Sequence, residues 1–314
     1  SSFTSLFEFY FMASTTVKII SNSGLLDYLE LCKPKVVLLI VFTAIVGMLL
    51  ASPSLVSLDI FIFGTIGIAL ASSSAAAVNH VVDQRIDSIM RRTNNRPLPL
   101  GSITSRDALI FAFGLGIMSM GILIYFVNTL TAILTFLSLI GYAVVYTVFL
   151  KRATPQNIVI GGAAGAAPPL LGWTAVTGSI DPEAMLLFLI IFTWTPPHFW
   201  ALAIHRAEEY KKAGMPMLPV THGKDYTRLQ ILLYTILLFV VTLLPYSYGM
   251  SGGFYLGGTI VMNLGFLWYV VMLYKNEDRD IAIGTFGYSI LYLMVLFAFL
   301  LIDHYLPLAL KAFI

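Results

Sequence analysis

Nine apolar stretches, at about residues 36–52, 58–79, 108–126, 129–149, 156–176, 184–204, 229–247, 254–274 and 284–302, leave this 314-residue chain little choice of fold. A helix needs about 20 apolar residues to cross a hydrocarbon core of roughly 30 Å, so each stretch is long enough to span a bilayer. Composition agrees: 58% of residues are hydrophobic and 11% charged, with a mean hydropathy of +0.88, where a soluble domain carries about 25% charged residues. A Rossmann enzyme, a β-sandwich and a disordered regulator are excluded. The net charge of +2 is too small for nucleic-acid binding. A single cysteine, Cys32, permits neither an intramolecular disulfide nor a thiolate metal cage. The expected fold is an all-α integral membrane protein of nine transmembrane helices, with the lipid bilayer as its solvent.

The basic residues test that count. Lys18, Lys33 and Lys35 precede the first stretch, and Arg85, Arg91, Arg92, Arg96 and Arg106 fall between the second and third. Lys151 and Arg152 follow the fourth, Arg206, Lys211, Lys212, Lys224 and Arg228 the sixth, and Lys275 and Arg279 the eighth. Nine spans place all of these on one side and leave only Lys311 on the other, which is the positive-inside pattern. That side is expected to be the cytoplasm, of a prokaryotic plasma membrane. The opposite connections, near 127–128, 177–183 and 248–253, hold no Lys or Arg. Residues 1–32 read as an N-terminal interfacial segment and 33–314 as one intramembrane domain. Met12 is a candidate natural start, with residues 1–11 upstream of it.

The chemistry lies in the polar loops. In the segment ASSSAAAVNHVVDQRIDSIMRRTNNRPLPLG, Asn79, Asp83 and Asp87 recur every four residues, so on a helix they line one face with two carboxylates and an amide oxygen. Such an oxygen comb suits Mg²⁺, which is commonly held by one or two carboxylates together with substrate phosphates. The plainer account is a solvated helix end whose acids pair with nearby arginines. Against it stand Arg91, Arg92 and Arg96, within ten residues of the comb, and a stiff Arg96-Pro97-Leu98-Pro99 stretch that can aim a guanidinium back at the site. A metal comb and an arginine cluster beside an apolar interior would suit a lipid-tailed diphosphate.

The run NHVVDQRIDSIMRRTNNRPLP resembles the first aspartate-rich motif of the UbiA superfamily of intramembrane prenyltransferases, in its haem-modifying branch. KPKVVLLIVFTAIVGMLLA, YTVFLKRATPQNIVIGGAAGAAPPLLGW and TPPHFWALAIHRAEEYKKAGMPMLPVTHG resemble the same family in the same order, covering nearly the whole chain from Lys33 to Gly223. The resemblance implies nine helices around a central cavity opening toward lipid, capped by polar loops. Its implied catalytic set is Asn79, Asp83 and Asp87, holding Mg²⁺, with Arg92, Arg96, Lys151 and Arg152 on the diphosphate. As plain chemistry, Lys151 and Arg152 would be positive-inside anchors, and GGAAGAA a stripe for close helix packing, followed by a proline pair expected to break the helix.

Where most members of the superfamily carry a second aspartate-rich motif, this chain has His198, Trp200, His205, Glu208, Glu209 and Tyr210. These are the expected acceptor-side residues, although a lone intramembrane histidine is more often a hydrogen-bonded core residue. The implied reaction moves a farnesyl group from farnesyl diphosphate to a vinyl group of protohaem IX, and implies contact with haem A synthase or terminal-oxidase assembly. The alternatives are a prenyltransferase for a quinone precursor, a transporter, which would carry charges at mid-span, and a haem electron carrier, which would carry facing histidine pairs.

Overall fold

The computed structural model describes residues 24–276 and 278–312. Helices α1 (Gly24–Leu31), α2 (Pro34–Leu50), α3 (Leu58–Ile89), α4 (Ser105–Phe126), α5 (Thr129–Ala153), α6 (Asn157–Thr177), α7 (Pro182–His205), α8 (Lys224–Ser247), α9 (Gly253–Lys275) and α10 (Arg279–Ala312) follow one another with no strand among the described residues. Eight of them are long and apolar enough to span alone. The ninth span is made by α2 taken together with α1, from which it is bent by 49°. All nine expected stretches are therefore helices. Of the expected N-terminal segment, residues 1–23 lie outside the described residues, and α1 packs Leu31 and Tyr28 against Leu98, Ile103 and Phe111.

α6 and α7 form the centre, with 67% and 72% of their most apolar windows buried, against 17% for both α4 and α5. The outer helices instead turn large side chains outward. Ile110, Phe113, Ile117 and Ile124 of α4 are all exposed, as a lipid-facing stripe requires. α2 packs on α6 through glycines: a Cβ on Gly47 would collide with the Pro169 carbonyl, and one on Gly172 with the Ala44 carbonyl. Backbones approach this closely only where side chains are absent, which makes up for the missing hydrophobic drive between helices in lipid.

The expected helix break at Pro168 and Pro169 does not occur, and α6 runs through both. Pro168 lacks the N–H that would bond the carbonyl four residues earlier. Ser138 of α5 donates its hydroxyl to that carbonyl, of Ala164, at 3.3 Å, and so replaces the lost bond from outside the helix.

Candidate active site

α3 has 32 residues, about 48 Å at 1.5 Å per residue, so its last turns reach beyond the hydrocarbon core into the polar cap. Its alanine- and serine-rich middle holds helical geometry and lets α4 approach: Ser74 donates to the Ala112 carbonyl at 2.7 Å, and Ser119 to that of Gly67 at 2.6 Å. The comb is thus carried on one rigid rod. Asn79, Asp83 and Asp87 are all buried, and so is His80.

Three cations converge on the comb from three elements. Lys33, between α1 and α2, donates to Asn79 Oδ1. Lys151, at the end of α5, donates to Asp83 Oδ2. Arg96 donates to Asp87 Oδ2 at 2.6 Å; it is held extended by the proline after it. Asn79 Nδ2 donates to Asp83 Oδ2 at 2.9 Å and to Thr147 Oγ1 at 3.3 Å. Lys33 is the one non-glycine among the described residues with positive φ, at 51°. A left-handed lysine costs energy, and here it aims the ammonium at the comb.

Lys151 and Thr147 reach the comb through an irregularity no sequence pattern announced. Gly141–Leu150 of α5 is a π-helix, a rare wide-turned form frequent at functional sites. In it Thr147 donates back to the Tyr142 carbonyl at 2.7 Å, and Tyr142 stacks on Tyr146 at 5.5 Å. A crevice of about 240 Å³ between α5 and α6 is lined by Leu134, Leu137, Gly141, Ala163, Ala167 and Leu170.

Around this core the structure places the other expected residues unevenly. Arg152 donates to the Val82 carbonyl at 2.8 Å, on the outer side of α3. Arg92 lies within electrostatic reach of Arg206, Tyr210, Arg96 and Asp87, so the loop after α3 meets the loop after α7. Burial raises the Tyr210 hydroxyl above its usual value, against the pull of Arg92 and Arg206. Glu208 is exposed, while Glu209 Oε2 is buried with no hydrogen-bond partner.

His198 lies elsewhere. Its Nδ1 is paired with Ser289 Oγ at 2.6 Å, and its ring stacks between Trp194 and Phe286 at 4.2 and 4.5 Å. Trp200 is buried edge-on to Tyr234, and His205 pairs through Nδ1 with the Arg279 carbonyl at 3.2 Å. Packing of α7 on α10 holds His198 and His205, while Trp200 faces α8 with its Nε1 buried and without a hydrogen-bond partner. Lys33, Thr147, Tyr142 and Tyr146 join the site with no sequence signal beyond the charge of the lysine.

The comb's chemistry fits a hard divalent cation. Asp83 Oδ1 is buried with no hydrogen-bond partner, a carboxylate oxygen left for a ligand. Among the described residues no three of His, Cys, Asp or Glu are placed to hold a metal ion by themselves, so a metal here would complete its shell with substrate oxygens or water, as Mg²⁺ commonly does.

Residues 40–296 match the model of the UbiA prenyltransferase family. The chain belongs to that family. A protoheme IX farnesyltransferase of Marinobacter nauticus is 61% identical over 89% of this chain and 92% of its own length. One of Hahella chejuensis is 58% identical over 95% and 99%. Among solved structures, a digeranylgeranylglyceryl phosphate synthase superposes with a TM-score of 0.76 at 20% identity, covering 89% of this chain and 98% of that one. A UbiA homolog from Archaeoglobus fulgidus bound to DMAPP and Mg²⁺ gives 0.60 at 17%, covering 87% and 99%. These structures establish the UbiA fold for the nine helices.

Proposed function

We propose that the chain transfers the farnesyl group of farnesyl diphosphate to a vinyl group of protohaem IX, yielding haem O. The observation that carries this reading is the buried oxygen comb ringed by Lys33, Arg96 and Lys151, in a chain about 60% identical to protoheme IX farnesyltransferases over nine-tenths of its length.

Asn79, Asp83 and Asp87 would hold Mg²⁺, which when bound supplies positive charge to the leaving diphosphate. Lys33, Lys151 and Arg96 stabilise the same charge as the bond from farnesyl C1 to oxygen breaks and its electron pair leaves with the diphosphate. Their hydrogen bonds to the comb put these cations in place before the reaction begins. The apolar crevice beside Gly141 suits the isoprenoid tail, and the stacked faces of Tyr142 and Tyr146 lie close to Asp83, where the allylic cation forms. The terminal vinyl carbon attacks farnesyl C1. Water then adds to the cation on the haem side and passes its proton to a second water, leaving the hydroxyl of the product. His198, paired with Ser289, is left as a packing residue.

Incubating purified protein with protohaem, farnesyl diphosphate and Mg²⁺ tests the reaction. The expected product is a haem heavier by one farnesyl group plus one hydroxyl group, seen by mass spectrometry; unchanged protohaem would refute the assignment.

The charge distribution supports an active site on the cytoplasmic side. Single cysteines at positions 94 and 214, in a Cys32→Ser background, are expected to react with an impermeant maleimide only when the cytoplasmic face is exposed. Labelling of the two from opposite faces would break this orientation.

A further inference from the structure

Arg206 ends α7 and Arg92 sits in the loop after α3, yet the fold brings the two like charges within electrostatic reach of each other. The acids near them are engaged or misplaced. Asp87 is taken by Arg96 at 2.6 Å. Glu209 stands three residues from Arg206, but Arg206 Nη1 and Glu209 Oε2 are both buried with no hydrogen-bond partner, so they do not satisfy each other. A buried guanidinium N–H without an acceptor is expensive, and a site that retains one is built to receive an acceptor from elsewhere.

That acceptor need not be the diphosphate, which has its own cations on the comb. Arg92 and Arg206 lie in the polar cap, outside the spanning helices, where a carboxylate can keep part of its hydration. A guanidinium fork matches a carboxylate in two parallel bonds, and a pair of forks can grip one or two of them. Protohaem carries two propionates on the edge opposite its vinyl groups. An acceptor gripped by that edge at the cap would lower its apolar vinyl edge toward the comb.

We infer that Arg92 and Arg206 form a carboxylate clamp that orients the acceptor by its propionates. This rests on the haem reading of the site. Tyr210, within electrostatic reach of both guanidiniums, is the neutral donor of the clamp. The shared chemistry is anion binding, and the competing source is the outer phosphate of the prenyl donor.

Spectral titration of the full-length protein in nanodiscs, with protohaem and with its dimethyl ester, separates the sources when run beside binding of farnesyl thiolodiphosphate. Arg206→Leu is expected to weaken protohaem binding by about 10- to 100-fold, the range of a charged hydrogen bond. The dimethyl ester should bind wild type about as weakly as protohaem binds the variant, and should not notice the substitution. Farnesyl thiolodiphosphate affinity should stay within about threefold, and Arg206→Lys, keeping charge without the fork, should recover part of the loss. Equal binding of protohaem and its ester by wild type, or loss of the thiolodiphosphate with protohaem retained, overturns the clamp and leaves the haem reading standing. Failure of wild type to bind protohaem at all overturns both.

Discussion

Asp83→Asn is expected to lower turnover by more than about 100-fold, the scale seen when one preorganised electrostatic group is removed from an active site. The substitution keeps the volume and the position on α3. It removes the charge that holds Lys151 and the buried Oδ1 that lacks any other partner. The loss should therefore fall on the ionisation step. Single-turnover formation of the farnesylated haem would slow, while span packing, followed by monodispersity in detergent, would not change. Asp87→Asn should show a similar fall, because it frees Arg96 as well as a ligand oxygen. Wild-type rates in either variant would remove the comb from the mechanism and return both carboxylates to the role of counter-charges for a cationic cap.

That the comb could be named from sequence follows from its periodicity: four-residue spacing on a helix is a local property. The nine spans were legible for a similar reason, since hydropathy and charge asymmetry report on lipid directly. What hydropathy could not see is a helix that leaves the membrane without ending. The second stretch reads as finished near residue 79, whereas α3 continues to Ile89, and those polar turns carry the site. Lys33 was illegible as a site residue because its partner Asn79 is 46 positions away. The π-helical turn that delivers Thr147 and Lys151 has no local signature in GYAVVYTVFL. The proline pair of α6 misled because the bond that rescues it comes from Ser138 on another helix. Second-loop residues divide along the same line. Tyr210 meets the first motif through Arg92, while His198 turns into the core between Trp194 and Phe286, and nothing in TPPHFWALAIH separates the two outcomes.

The GGAAGAAPPLLGW stretch offers the contrast that sequence alone cannot draw, because its glycines look alike and do different things. Gly172→Ala is expected to destabilise the protein by about 1–3 kcal/mol, the cost of forcing a methyl group into a packed interior. Its Cβ would run into the Ala44 carbonyl, with the Met48 nitrogen at 3.1 Å, and backbone cannot step aside as a flexible side chain can. Gly165→Ala, seven residues earlier on the same helix, meets nothing within 4 Å. It should be neutral or stabilising by a few tenths of a kcal/mol up to about 1, from helix propensity alone. Thermal unfolding of the two variants in the same detergent would measure the difference. The effect of Gly172→Ala should extend to catalysis, since the helix it pushes away is α2 and the residue at the head of α2 is Lys33, whose ammonium must reach Asn79. Equal destabilisation by both substitutions would mean that the stripe acts through backbone flexibility and not through close approach of α2. An inactive but fully stable Gly172→Ala would separate the position of Lys33 from the packing held responsible for it.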